Sequence, residues 1–374
     1  MPSPPPRRAS PRAVELDGLR GIAIALVLWH HLVASALPLG SDSWLGWLRA
    51  ASLLAWSGVD LFFVLSGFFI GGILIEHSES PRLARVFYLR RALRILPLYF
   101  VTLAAIFALV AIGVPGSWHE FPAWIYGLFL TNFALAWAQH WDWLPLSVLW
   151  SLAVEEQFYV LAPWIVRAVS PIRLPWFAGT IALLAWALRI VVLAWYPNGH
   201  FGVNVLTPLR MDELALGVLI AWAVRAKVAQ SFFAELATRW KFWLACAASG
   251  PAILTLQRSG GGDFTYCLYG YTLLAMFFAL LVAVVAGVRP VPFGRLLTLR
   301  PLVHLGRHSY SVYLWHPLIG VGVIRGLGGE HFTLNSVDGF GIVILAVAST
   351  WAAAAISWKY FEGPLVSWGQ KHVY

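Results

Sequence analysis

The sequence predicts an all-α protein, a polytopic bundle of about ten transmembrane helices with one short re-entrant or interfacial segment. Hydrophobic residues make up 60% of the 374 positions and charged residues only 11%, whereas a soluble globular domain carries about 25% charge. Long apolar stretches recur along the whole chain. The arginines cluster in the short segments between them, as the positive-inside rule expects of a membrane protein.

The apolar stretches give the candidate crossings. They run at about 21–39, 51–75, 95–114, 122–138, 147–166, 175–196, 205–224, 240–256, 264–288, 309–327 and 339–361. Basic segments at 76–94, 225–241 and 289–307 should face the cytoplasm. Those assignments leave room for only one crossing between 95 and 138, so we interpret the short stretch 122–138 as re-entrant or interfacial.

The predicted organisation is one transmembrane domain between two tails. Residues 1–15 are Pro-rich and basic and are predicted to form a disordered cytosolic tail. Residues 16–362 form the domain and 363–374 a cytosolic tail, so both termini are expected in the cytoplasm. Arg is far more frequent than Lys, and Ala is also abundant, a composition typical of a GC-rich bacterium. We therefore expect the protein in a bacterial cytoplasmic membrane, surrounded by lipid.

Several function classes are disfavoured by the sequence. The net charge of +9 does not indicate nucleic-acid binding, because the arginines that produce it lie in short loops between apolar stretches. Only two cysteines occur, and no spacing of Cys and His indicates a metal site. No phosphate-binding Gly-Lys-Ser/Thr loop and no Ser-centred hydrolase motif is found.

Arg20 and His31 form the most informative pair. They are eleven residues apart on the first predicted helix, which is three full turns plus roughly 20°, so both side chains share a face. They stand roughly 16 Å apart along the axis, about half a bilayer core. The alternative to a functional pair is a snorkelling arginine and a histidine that bridges two helices.

Arg91 and Arg94 share a helix face where the chain enters the membrane from the cytoplasm. They are either a positive-inside anchor or a clamp for phosphate, whose oxygens suit the guanidinium fork. Asp60 lies near mid-membrane and needs a partner, for which His31 or an arginine is the natural choice.

Three more charged positions fall in the membrane. Glu155 shares a helix face with Ser151 and Tyr159, and a structural salt bridge is its alternative role. Arg210 and Asp212 begin a helix from the outside, so they either meet an external substrate or satisfy each other as an ion pair.

The last candidates are His316 and Tyr313, which lie on nearly the same helix face about two turns above the cytoplasmic side. Together, the candidates predict a cytoplasmic mouth for a polyanion, a base with carboxylate partners in the middle, and a route outward. We expect the chain to take a group from a phosphorylated cytosolic donor and pass it to an acceptor, with Arg210, Asp212, Tyr313 and His316 binding substrate.

The chain resembles the membrane-bound acyltransferase 3 family. The matching segments are LDGLRGIAIALVLWHH, GVDLFFVLSGFFI, YLRRALRILPLY, WSLAVEEQFY and YLWHPL, in the family's order over about residues 14–362. The family's Arg-x10-His signature falls on Arg20 and His31, its Arg-x-x-Arg motif on Arg91 and Arg94, and its acidic position best on Glu155. The match at Arg210 is looser.

This resemblance implies O-acyl transfer, usually of acetyl, from cytosolic acyl-CoA to a hydroxyl of a carbohydrate, a cell-envelope glycan or a related small molecule. No metal is expected. Many relatives carry an extracellular hydrolase-like domain that this sequence lacks, so we expect it to work alone or with a separate periplasmic or extracellular partner protein.

The expected mechanism places the acyl-CoA phosphates on Arg20, Arg91 and Arg94. His31 then acts as the base or accepts the acyl group, while Asp60 or Glu155 orients its ring. One rival is a transporter or flippase for a glycan or lipid-linked precursor, since charges at mid-membrane suit it equally well. Another is a non-catalytic scaffold. Binding of acyl-CoA distinguishes an acyltransferase from both the transporter and the scaffold.

Overall fold

The computed structural model describes residues 11–38, 44–114, 116–196, 199–226, 230–239, 266–288, 290–291, 293–329, 332–334 and 336–374. All regular structure in these residues is helical, as the composition predicts. Helix α1 (Pro11–Leu28) begins inside the predicted N-terminal tail, so residues 11–15 are helical, and residues 1–10 lie outside the description. The predicted crossing at 240–256 also lies outside it.

The remaining helices follow in chain order. They are α2 (Trp44–Ala51), α3 (Gly58–Glu76), α4 (Leu83–Ala111), α5 (Ala123–Gly127), α6 (Thr131–Ala138), α7 (Leu144–Ser147), α8 (Leu149–Ala168), α9 (Leu174–Trp195), α10 (His200–Val205), α11 (Thr207–Arg225), α12 (Gln230–Thr238), α13 (Tyr271–Gly287), α14 (Gly294–Leu297), α15 (Arg300–Arg307), α16 (Ser309–Trp315), α17 (Val321–Gly328), α18 (Val337–Ser357) and α19 (Gly363–Gln370).

Six helical segments of the described chain are long and apolar enough to cross a membrane. They are Val14–Ala36, Trp44–Glu76, Leu83–Ala111, Leu174–Trp195, Cys267–Gly287 and Val337–Gln370. The predicted total of about ten crossings is therefore supported only in part. The stretch 122–138 is broken into α5 and α6, and neither is long enough to span a bilayer, in agreement with its interpretation as re-entrant or interfacial.

Helices α8 and α11 are not among these six. They contain 20 and 19 residues, which at about 1.5 Å per residue approaches the thickness of a hydrocarbon core. Glu155 and Glu156 lie in α8, and Arg210, Asp212 and Glu213 lie in α11. Their charges exclude them from a selection by hydropathy.

Glycines set the close contact between α3 and α11. A Cβ atom at Gly67 of α3 would overlap the carbonyl oxygen of Leu214, and one at Gly217 of α11 would overlap the carbonyl oxygen of Val64. Two helices approach this closely only where one of them lacks a side chain. The resulting fit places Asp60 of α3 beside the charged first turns of α11.

A methyl group at Gly67 is expected to force α3 and α11 apart. Gly67→Ala should reduce stability by about 1–3 kcal/mol, seen as a lower midpoint in a thermal unfolding assay of the detergent-solubilised protein. Gly179→Ala in α9 is the matched control, because no atom lies within 4 Å of the added carbon. The control should melt at the wild-type temperature or higher. Equal midpoints for both variants would contradict the packing argument.

Candidate active site

Two adjoining cavities contain most of the residues that the sequence singled out. The first, of about 320 Å³, is called here the arginine cavity. Its charged and hydroxyl-bearing lining residues are Asp17, Arg20, Ser66, Arg91, Arg94, Ser151, Glu155, Tyr159, Ser309, Tyr310 and Tyr313. The second, of about 650 Å³, is called the tryptophan cavity. Its aromatic and polar lining residues are His30, His31, Trp56, Trp118, Trp141, Asp142, Trp143, Ser147, Trp150, Asn204, Arg210, Tyr271, Tyr313 and Arg325.

The shared helix face of Arg20 and His31 runs from one cavity to the other. Arg20 lines the arginine cavity and His31 lines the tryptophan cavity. Val59 and Tyr313 line both, so the cavities meet at these two side chains. The Tyr313 hydroxyl donates to the carbonyl oxygen of Val148 at 2.8 Å and contacts the Ser151 hydroxyl at 2.6 Å, which fixes the ring between the cavities.

The structure brings Arg20, Arg91 and Arg94 together, as the sequence predicts. Arg20 donates to the Ser309 hydroxyl at 2.8 Å, and the Arg91 guanidinium lies 5.4 Å from the centre of the Tyr159 ring. None of the three arginines forms an ion pair within the part of the chain that the structure describes. Three cations without paired anions are suited to bind a polyanion such as a phosphate ester.

Glu155 also faces the arginine cavity, on the same face of α8 as Tyr159. The Tyr159 hydroxyl donates to Glu155 at 2.9 Å and contacts the Ser66 hydroxyl at 2.6 Å. The predicted alignment of Glu155 with Ser151 and Tyr159 is therefore confirmed. The prediction that Glu155 orients the His31 ring is wrong, because its hydrogen bond goes to Tyr159 and it lies in the other cavity.

Asp60 does not contact His31 either. It forms a buried ion pair with Arg210, which also lies 3.0 Å from Glu213. The sequence allowed either His31 or an arginine as the partner of Asp60, and the structure shows the arginine. Asp60 therefore does not orient the imidazole. The prediction of a carboxylate beside His31 is thus wrong for Asp60 as well.

Arg189 extends the buried charges on the other side of α11. Its guanidinium pairs with Asp212 at 2.5 Å and donates to the carbonyl oxygen of Leu209 at 2.7 Å. Both Asp212 and Arg210 are buried. The structure therefore shows ion pairing within the protein at the charged start of α11. Arg210 also lines the tryptophan cavity. Sequence reasoning missed Arg189, and a single charge in an otherwise apolar helix was the available signal.

His31 is paired with a second histidine. Its Nδ1 lies 3.1 Å from Nε2 of His316, and the ring centroids are 5.0 Å apart with an angle of 28° between the planes. The other nitrogen of His316, Nδ1, lies 2.6 Å from the carbonyl oxygen of Tyr313. His316 is fully buried and lines neither cavity, so the expectation that it binds substrate is not supported by its position.

The sequence comparisons identify a family and several relatives. A family model with the description "Acyltransferase domain" matches residues 14–358. The O-acetyltransferase OatA of Staphylococcus aureus is 27% identical over 384 residues, which cover 97% of this chain and 58% of OatA. YrhL of Bacillus subtilis, named provisionally as a peptidoglycan O-acetyltransferase, is 30% identical over 377 residues, which cover 95% of this chain and 55% of YrhL.

This chain therefore spans a little more than half the length of these curated relatives. No solved structure matches it. Within the described residues, no group of three or more His, Cys, Asp or Glu side chains has the arrangement of a metal site.

Loss of Arg210 should leave the buried carboxylates of Asp60 and Glu213 without their cation. Arg210→Gln is expected to cost about 3–5 kcal/mol, the cost of breaking a buried ion pair, measured as a drop in thermal midpoint and in the yield of monodisperse protein. Arg225→Gln removes a partly exposed arginine from its pair with Glu76 and should cost less than about 1 kcal/mol.

Adding Asp60→Asn to Arg210→Gln should restore part of the lost stability, because it removes one of the stranded charges. If Arg210→Gln and Arg225→Gln prove equally mild, the ion pairs of α11 do not stabilise the bundle.

Proposed function

This chain belongs to the acyltransferase 3 family, and from that membership we propose that it is a membrane O-acyltransferase. We propose that it moves an acetyl group from cytosolic acyl-CoA to a hydroxyl of a carbohydrate or cell-envelope glycan. The observation that carries the proposal is the meeting of the arginine cavity and the tryptophan cavity at Val59 and Tyr313. A donor and an acceptor that enter from opposite sides can react at such a junction.

The arginine cavity is the proposed donor site. Its three arginines form no ion pairs within the described chain, and guanidinium groups bind phosphate oxygens in a bidentate manner at every physiological pH. Arg94 also lines a neighbouring groove of about 680 Å³ that contains Lys359. The phosphates and nucleotide of acyl-CoA are placed here, so that the pantetheine arm reaches inward toward Tyr313.

The tryptophan cavity is the proposed acceptor site. Five tryptophans line it together with a few polar groups, among them Asp142 and Asn204. Large aromatic walls with a small number of placed polar groups are typical of sites that bind small organic ligands. A sugar presents both apolar ring faces and hydroxyls, which match these two kinds of lining. The positive-inside rule puts this cavity on the outer side of a bacterial cytoplasmic membrane.

His31 is the proposed catalytic residue because it lines the acceptor cavity and its ring stacks on His316, whose ring centroid is 5.5 Å from that of Tyr313 at the junction. As a base, it takes the proton of the acceptor hydroxyl while the hydroxyl oxygen bonds to the thioester carbon. The carbon–sulfur bond then breaks, and the departing CoA sulfur receives the proton. In the alternative route, an imidazole nitrogen first bonds to the thioester carbon and CoA leaves as the thiolate. The acceptor oxygen then bonds to the acetyl carbon, the carbon–nitrogen bond breaks, and the hydroxyl proton neutralises the thiolate.

Substitution of His31 is expected to abolish turnover without abolishing donor binding. In nanodiscs with radiolabelled acetyl-CoA, His31→Ala should reduce CoA release by roughly 10²–10⁴-fold, the usual contribution of a general base. His140→Ala, at a histidine whose side chain is 53% exposed, is the control and should retain wild-type release. Label that stays on the wild-type protein would identify the covalent route.

Release by His31→Ala within a few-fold of wild type would rule out the proposed role of His31. If the wild type neither binds nor turns over acetyl-CoA or longer acyl-CoAs, the transporter function is favoured instead.

The arginine cavity makes a separate prediction about affinity. Arg91→Gln and Arg94→Gln should each weaken acetyl-CoA binding by roughly 10–100-fold, because a hydrogen bond to a charged group contributes about 1.5–3 kcal/mol. Arg85→Gln on the same helix is the control, since Arg85 is exposed and does not line the cavity. Calorimetric titration measures all three. Unchanged affinity in the two cavity variants would show that the phosphates bind elsewhere.

A further inference from the structure

The contact between His31 and His316 occurs where two helices leave the α-helical pattern. His31 lies in the π-helical turn Trp29–Val33, and His316 begins the π-helical turn His316–Gly320. Such turns are rare and are frequently found at functional sites. In the second turn, Pro317 has no backbone N–H, which removes one regular helical hydrogen bond. Both local distortions therefore coincide with the residues whose rings meet.

The hydrogen bonds of His316 determine which of its nitrogens carries the proton. Its Nδ1 lies 2.6 Å from the carbonyl oxygen of Tyr313. A carbonyl oxygen only accepts, so Nδ1 of His316 must donate and therefore carries the hydrogen. In the neutral ring, Nε2 then holds the lone pair and can only accept.

The same reasoning determines which nitrogen of His31 carries the proton. Its Nδ1 faces the lone pair of His316 Nε2 at 3.1 Å, so Nδ1 of His31 must donate. With the hydrogen on Nδ1, the lone pair of the neutral His31 ring is on Nε2.

We infer that His316 is a positioning residue that holds His31 in the tautomer whose Nε2 is free to act. The inference rests on the proposed function, in which His31 Nε2 takes the proton of the acceptor hydroxyl. During that step the acceptor oxygen bonds to the thioester carbon, the carbon–sulfur bond breaks, and the proton on Nε2 passes to the CoA sulfur. The Nδ1 hydrogen bond to His316 persists throughout.

A second imidazole suits this position better than a carboxylate. The carboxylate of a Ser-His-Asp triad orients its histidine in the same way, but a carboxylate must be ionised to do so. Burying an ionised group at this depth is costly without a partner, and the partner of the nearby Asp60 is already Arg210. A neutral ring anchored to a backbone carbonyl sets the tautomer without adding a charge.

Two substitutions of His316 separate orientation from packing. The amide oxygen of Gln can accept from His31 Nδ1 at about the place of the lost Nε2, whereas Phe keeps the volume of the ring but accepts nothing. His316→Phe should lower kcat for acetyl transfer by about 10²–10⁴-fold, as loss of the correct tautomer does in a triad, with KM for acetyl-CoA within about threefold of wild type. His316→Gln should retain at least tenfold more activity than His316→Phe.

The opposite order, with His316→Phe as active as His316→Gln or more so, would mean that His316 only packs. Activity within threefold of wild type in both variants would also overturn the inference.

The tautomer can be measured without turnover. In protein labelled with ¹⁵N-histidine and reconstituted in lipid, nitrogen NMR distinguishes protonated from unprotonated ring nitrogens, and the signals absent from His31→Ala belong to His31. The wild type should show a protonated Nδ1 and a bare Nε2, and His316→Phe should shift population to the other tautomer. A proton on Nε2 in the wild type would overturn the inference. Absence of any acyl transfer by the wild type would instead overturn the proposed function and leave this measurement valid.

Discussion

The buried ion pairs that join α11 to α3 and to α9 organise the structure. Helix α11 carries Arg210 and Asp212 on nearly opposite faces. Each face meets a helix with the complementary charge: α3 supplies Asp60 and α9 supplies Arg189. In a low-dielectric interior an unpaired charge is far more costly than a lost apolar contact. The ion pairs therefore fix which face of α11 is presented to each neighbour, and the glycines of α3 and α11 let the backbones come close enough for the pairs to form.

With α3 held in that way, the two cavities follow. Val59, next to Asp60 on α3, is brought to the point where both cavities meet. On one side of it the described chain gathers three arginines without ion-pair partners, and on the other it places His31 among tryptophans. The residues that stabilise the bundle and the residues proposed for chemistry are thus different sets, joined through α3. Arg210 is the point of contact between them, since it pairs with Asp60 and also reaches the tryptophan cavity.

What the sequence could predict was local. The helical repeat determines which residues share a face of a helix. The shared faces of Arg20 and His31, of Arg91 and Arg94, and of Glu155 and Tyr159 could therefore be predicted correctly. The partner of Asp60 could not, because Arg210 is 150 positions away and either a histidine or an arginine would satisfy a carboxylate. The same holds for the contact between His31 and His316, which are separated by 285 positions. The number of crossings was also hard to read, since α8 and α11 carry charges that only their partners make tolerable.

The position of Tyr313 has a consequence for the membrane itself. In the proposed function the two cavities open to opposite sides of the membrane, and only the side chains that they share then separate them, where a bilayer would otherwise be about 30 Å of hydrocarbon. On that proposal the permeability barrier lies in a tyrosine ring held by Ser151 and the Val148 carbonyl and in the apolar side chain of Val59. In the same proposal, size and rigidity at these two positions keep ions and water on their own sides of the membrane, independent of any chemistry that takes place beside them.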